Sequence, residues 1–162
     1  MNDEKGQLSG EYMLLVGSLI VVLMISIFMI SNENELNIAM AAAKSGADEG
    51  VASSSSAIYP KETFNEYDDM EGLKHPYSVS IVNVSYNSSG IDENYGKQKI
   101  QFKVYAKASA DYNKKELDSI GDRINYNLRK SVATSFNTTN STNKLYNPVF
   151  SNNYVFTTAN VV

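Results

Sequence analysis

From Met13 to Ile30 the chain reads MLLVGSLIVVLMISIFMI, eighteen residues without a charge. As an α-helix this run is roughly 27 Å long, close to the hydrocarbon thickness of a bilayer. It is apolar on every side, so it needs lipid or protein around its whole circumference. A plain membrane anchor and an uncleaved secretory signal satisfy the same pattern. The flanks narrow the choice. An ordinary signal places a small-residue cleavage site behind its apolar core. Here Ser31–Leu36 reads SNENEL, with acids and amides and no such site. In front of the run stand MNDEKG and then QLSGEY. Processing is therefore expected ahead of the apolar segment, which would leave the helix on the mature chain.

Glu11 is the only charged residue between Gln7 and Ile30. A carboxylate this close to a spanning segment is costly in hydrocarbon, though less so near a helix end than at its centre. Cleavage after Gly6 would give Gln7 a free amine, one helical turn or about 6 Å from Glu11. The amine of one copy could then pair with Glu11 of a neighbour shifted by a similar distance, neutralising both charges and fixing their register. The alternative is a carboxylate resting in the headgroup layer.

The stretch Lys5-Gly6-Gln7-Leu8-Ser9-Gly10-Glu11-Tyr12-Met13-Leu14-Leu15 resembles the class III signal of archaeal type IV pilins. With the apolar run, the resemblance covers Lys5 to about Ile30. It implies that a membrane-embedded prepilin peptidase cuts between Gly6 and Gln7. It also implies that Glu11 is the glutamate five residues into the mature chain, and that the helix packs in a filament core. The leader departs from the pattern, because Asp3 and Glu4 accompany its one basic residue, Lys5. Archaellins share the general plan but start differently; Gln7 and the Glu11-Tyr12 pair favour the pilus branch.

Beyond SNENE, Leu36, Met40, Ala43, Ala47 and Gly50 recur at three- and four-residue steps, a narrow stripe suited to close helix approach. Pro60 must end the helix, and Ser53–Ser56 could fray it earlier. The expected organisation is a leader over 1–6, one long helix over 7–59 and a head over 60–162. The fold class expected is α+β, a lollipop-like pilin plan: a long apolar helix, then a small antiparallel sheet with one packed helix.

Lys61–His75 reads as a charged loop. Tyr77–Tyr86 alternates as a strand, and Asn87–Lys97 is rich in turn formers. Lys99–Ala108 is the clearest strand. Ile100, Phe102, Val104 and Ala106 share one face, and Lys99, Gln101, Lys103 and Lys107 the other. Asn113-Lys114-Lys115-Glu116 reads as a capping box. Leu117, Ile120, Ile124, Leu128 and Val132 then form the apolar stripe of a helix ending near Phe136. Asn137–Asn143 is a polar turn, and Leu145–Val162 a closing hairpin.

Fourteen basic against eighteen acidic side chains leave a net charge of −4, without the basic excess that phosphate neutralisation requires, so no nucleic-acid partner is expected. There is no cysteine, hence no disulfide and no thiolate metal site. The lone histidine, His75, sits in a His-Pro step and reads as a turn residue. Glu66, Asp68, Asp69 and Glu71 form the densest acidic cluster but lack the spacing of a calcium loop. Asp118 and Asp122 share a helix face, as ordinary surface pairs do. No nucleophile elbow, phosphate loop or zinc motif is present, so neither an enzyme, a cofactor nor a metal is expected. Four N-x-S/T sequons begin at Asn83, Asn87, Asn137 and Asn140. The last three fall in expected turns, where a glycan could stand in solvent.

These readings lead to the structural subunit of an archaeal type IV pilus-like surface filament. It would assemble through its own N-terminal helix and serve adhesion or surface attachment. Its expected partners are copies of itself, the prepilin peptidase, the membrane before assembly and, by resemblance, the pilus assembly ATPase and platform; N-glycans are possible. Its expected location is the cell membrane as precursor, then an extracellular surface filament. The second reading is a minor pilin-like or membrane-anchored envelope protein whose head binds a specific partner. A membrane-anchored enzyme is the third class, disfavoured for want of a catalytic constellation.

Overall fold

Proline is absent before position 60, so nothing in the first fifty residues forbids an unbroken helix. The computed structural model describes residues 3–52, 79–109 and 111–162. Its first element, α1, runs from Asp3 to Ala52 without a break. Inside the apolar run the Ser18 hydroxyl donates to the Leu15 carbonyl at 2.8 Å, and Ser26 donates to Val22 at 2.9 Å. The helix thus satisfies its own polar side chains, as an apolar surrounding demands. The expected helix end at Pro60, the loop with His75, the Glu66–Glu71 cluster and the first residues of the Tyr77 strand lie outside the described residues.

The chain divides into two compact units, Met1–Leu36 and Asn37–Val162. The second contains the last turns of α1 together with β1 (Val79–Asp92), β2 (Lys97–Ala108), α2 (Lys114–Ser135), β3 (Val149–Phe150) and β4 (Tyr154–Thr158). A single turn of 3-10 helix, Thr139–Ser141, lies between α2 and β3. This is an α+β arrangement of one long apolar helix, a four-stranded sheet and one further helix.

The sheet order is β1-β2-β4-β3. β1 and β2 are antiparallel, as are β3 and β4, but β2 and β4 run parallel. The sheet is therefore mixed, where a purely antiparallel one was expected. The reason is the connection: after α2 the chain re-enters the sheet as β3, against the direction of β2, and the reversal into β4 restores that direction. The last residues stay beside β2. Ala159 donates to the Phe102 carbonyl at 2.8 Å, Val162 to Val104 at 3.0 Å, and Ala106 to Val162 at 2.7 Å.

Alternation in β2 does what its sequence requires. Ile100, Phe102 and Val104 are almost completely buried, with Val155 and Phe156 of β4 beside them. The Phe102 and Phe156 rings stack at 5.5 Å, and Phe136 stacks on Phe156 at 5.8 Å. On the opposite face Lys103 lies over the Tyr105 ring. The first hairpin differs from expectation. β1 continues through Asn87 to Asp92, and the turn is confined to Glu93–Gly96. Gly90, at φ +82°, takes up a register shift between Ser88 and Ile91, so the glycine marks a bulge inside the strand instead of the turn.

At the start of α2 the capping box is complete: the Glu116 amide donates to Asn113 Oδ1, and the Asn113 amide to Glu116 Oε2, each at 2.9 Å. Ile120, Ile124, Leu128 and Val132 are buried, while Leu117 is 45% exposed at the helix's first turn. α2 packs on β3 and β4, and also on the last turns of α1. There Ala39, Ala42, Ala43 and Ala47 are buried, and so are Gly46 and Gly50. The buried face is rotated from the expected stripe, since Leu36 and Met40 are only half-buried. A Cβ on Gly46 would lie 2.6 Å from the Asn127 carbonyl oxygen and 2.8 Å from Leu128 Cα; one on Gly50 would lie 2.8 Å from Ile124 Cα. The two backbones approach so closely that only glycine fits.

Candidate assembly interface

Fifteen large apolar side chains between Tyr12 and Ile30 are from 51% to 76% exposed. Val21, Val22, Leu23, Met24 and Ile25 are consecutive, so together they pass once around the helix and leave no side covered. Neither Gly10 nor Gly17 has a heavy atom within 4 Å of where a Cβ would stand. This is far beyond the scattered apolar exposure usual on a soluble surface. At roughly 25 cal/mol per Å², and about 100 Å² for each such side chain, covering the run would gain on the order of 40 kcal/mol. Among the described residues this is the one helix long and apolar enough to cross a membrane by length and composition.

The residues singled out near this surface have definite places. Gly6 and Gln7 both lie within α1. Glu11 is exposed one turn after Gln7, directly before the exposed Tyr12. Along the chain, then, the peptide bond at Gly6, the glutamate and the uncovered apolar surface follow one another on a single continuous helix.

In the second unit, all four sequon asparagines are exposed. Asn83 sits opposite Tyr105 beside a register shift in β1, and Asn87 is opposite Gln101. Asn137 is in the turn after α2 at φ 59°, and Asn140 is within the 3-10 turn. Asn87 is accordingly a strand residue and not the turn residue expected.

Polar side chains on α2 hold the end of the chain in place, and sequence reasoning did not find them. Arg129 donates from Nε to the Leu145 carbonyl at 3.0 Å and from Nη1 to Thr158 Oγ1 at 2.6 Å. Burial pulls the Arg129 pKa down, opposed by Asp122 and Tyr126. Asn125 donates from Nδ2 to the Ala159 carbonyl at 2.9 Å. Asp122 is shifted upward from its ordinary value of 3.8, first by burial; the Arg129 charge opposes this and Asp118 adds to it. Helical periodicity places Asn125 and Arg129 beside the apolar stripe but gives no sign of their partners, which lie 16 to 34 residues away. Among the described residues no three histidine, cysteine or acidic side chains come together to hold a metal.

Compared with known proteins, the chain matches no family model, no curated protein and no solved structure.

Proposed function

We propose that this chain is a structural subunit of an archaeal type IV pilus-like filament, cut between Gly6 and Gln7 and assembled through α1. The observation that carries the reading is the uncovered apolar circumference from Tyr12 to Ile30 on an unbroken helix. Such a surface demands an apolar surrounding, and helices of neighbouring copies would supply one outside the bilayer. The sequence Gly6-Gln7-Leu8-Ser9-Gly10-Glu11-Tyr12 supports the filament over a permanent anchor, because it resembles a prepilin signal. Glu11 then pairs with the Gln7 amine of an adjacent copy and sets the axial register. The heads face outward and serve attachment, with glycans on exposed asparagines.

Two measurements test this together. Mass spectrometry of the surface fraction should find chains beginning at Gln7. Electron microscopy of sheared material should find filaments containing them. Chains that retain Met1–Gly6 and stay single in the membrane would refute the proposal and leave the anchored envelope protein. Glu11→Gln should insert normally yet lose most filaments; unchanged filament yield would remove the register role of Glu11.

A further inference from the structure

A cleft of about 360 Å³ lies where α2 meets the end of the chain, lined by Asp118, Gly121, Asp122, Asn125, Asn160 and Val161. Asp118, Asp122 and Asn125 follow at steps of four and three, so they share one face of α2. Val161 closes over Gly121, where a Cβ would meet the Val161 Cβ at 3.4 Å. Two carboxylates one turn apart are ordinary in themselves. The asparagine beside them is not. Asn125 is 7% exposed, and its amide orientation is fixed by donation from Nδ2 to the Ala159 carbonyl at 2.9 Å. Its Oδ1 therefore faces away from that carbonyl, and it is buried without a hydrogen-bond partner among the described residues. A buried amide oxygen left unsatisfied is costly, and native proteins rarely tolerate one.

The charges point the same way. Neither Asp118 nor Asp122 has a salt bridge among the described residues. Arg129, whose charge acts on Asp122, is engaged by the Leu145 carbonyl and Thr158 Oγ1. The cleft thus gathers two negative side chains, an amide oxygen with no partner among the described residues and a second asparagine, Asn160, with no positive group among its described lining residues.

We propose that this cleft binds a hard divalent cation, calcium in preference to magnesium, through the Asp118 and Asp122 carboxylates and Asn125 Oδ1, with Asn160 from the closing segment. The donors are all oxygen, which suits hard cations. Calcium accepts an irregular set completed by water, whereas magnesium demands near-octahedral geometry. With only two carboxylates, affinity belongs in the range of about 10⁻⁴ to 10⁻³ M found in extracellular modules. Occupancy would join α2 to the last residues of the chain and firm the head of a surface protein exposed to such concentrations.

The test uses the full chain in detergent, titrated with CaCl₂ and with MgCl₂ by calorimetry after treatment with chelator. One saturable calcium site per chain is expected, with weaker magnesium binding. Asp118→Asn and Asp122→Asn should each lower calcium affinity at least tenfold, and Asn125→Ala should lower it as well. Both Asp variants relieve repulsion between neighbouring carboxylates, so they should melt no lower than the parent in chelator, which separates lost binding from lost folding. Absence of saturable calcium binding up to about 10 mM, ten times the weak end of that affinity range, overturns the proposal. So does calcium binding that survives in the Asp118→Asn, Asp122→Asn double variant, since the ion would then sit elsewhere.

Discussion

Replacing Gly46 by alanine should destabilise the second unit, although alanine is the better helix former. The two effects can be weighed. In an exposed helix interior the change gains about 1 kcal/mol from propensity. At Gly46 the added Cβ would stand 2.6 Å from the Asn127 carbonyl oxygen, 2.7 Å from Ser131 Cβ and 2.8 Å from Leu128 Cα. None of these is the far end of a flexible side chain, so none can swing aside. Ordinary carbon contacts need about 3.5–4.0 Å, so α1 and α2 must separate by roughly 1 Å there. Overpacking of this kind costs about 1–3 kcal/mol, and rigid neighbours put it near the upper end. The net loss is about 2 kcal/mol. For a unit of this size each kcal/mol moves the midpoint by roughly 4 °C, so a fall of roughly 8 °C is expected. Thermal circular dichroism of the full chain in detergent reads it. Gly17→Ala is the control: nothing lies within 4 Å of its Cβ position, so the midpoint of the second unit should not fall. An unchanged or raised midpoint in Gly46→Ala would refute the argument that backbone contact selects glycine at this crossing.

Further expectations concern α2 and its surroundings. Asn113→Ala removes one half of the capping box and should cost about 1 kcal/mol, measured as a lowered urea midpoint at constant slope. Arg129→Ala leaves the Leu145 carbonyl and Thr158 hydroxyl without their charged donor; a loss of about 2–3 kcal/mol is expected, with only partial recovery in Arg129→Lys, whose single amine cannot reproduce the fork. Asp122 has a folded pKa above its ordinary value of 3.8, so folding favours its protonated form. Its contribution to stability is full below 3.8 and lost as pH rises through the folded value. Asp122→Asn, in chelator, should therefore gain stability near neutral pH relative to the parent. That difference should shrink in denaturant melts as pH falls below 4.

Much of this molecule was legible because the controlling interactions are local. A run of eighteen uncharged, largely apolar residues can satisfy its backbone within itself in an apolar medium only as a helix. Alternation from Ile100 to Val104 identifies the buried face of β2 without knowledge of what covers it. Asn113 and Glu116 cap α2 across three residues, a distance at which the sequence is its own partner. The turn expected over Asn87–Lys97 is confined to its second half, Glu93–Gly96. Gly90 supplies the same positive φ to a bulge as to a turn, and nothing adjacent distinguishes the two.

Sequence alone thus determined the apolar helix and the strand and helix identities of the head. Tertiary structure decided the parallel pairing of β2 with β4, the rotation of α1 that buries Gly46 beside the expected Gly50, and the burial of Asn125 beside two acids. Each of these depends on partners brought together from distant positions, whose energies become available only after the intervening chain has folded. Periodicity records which face of an element is apolar; it carries no label for the surface that will meet it.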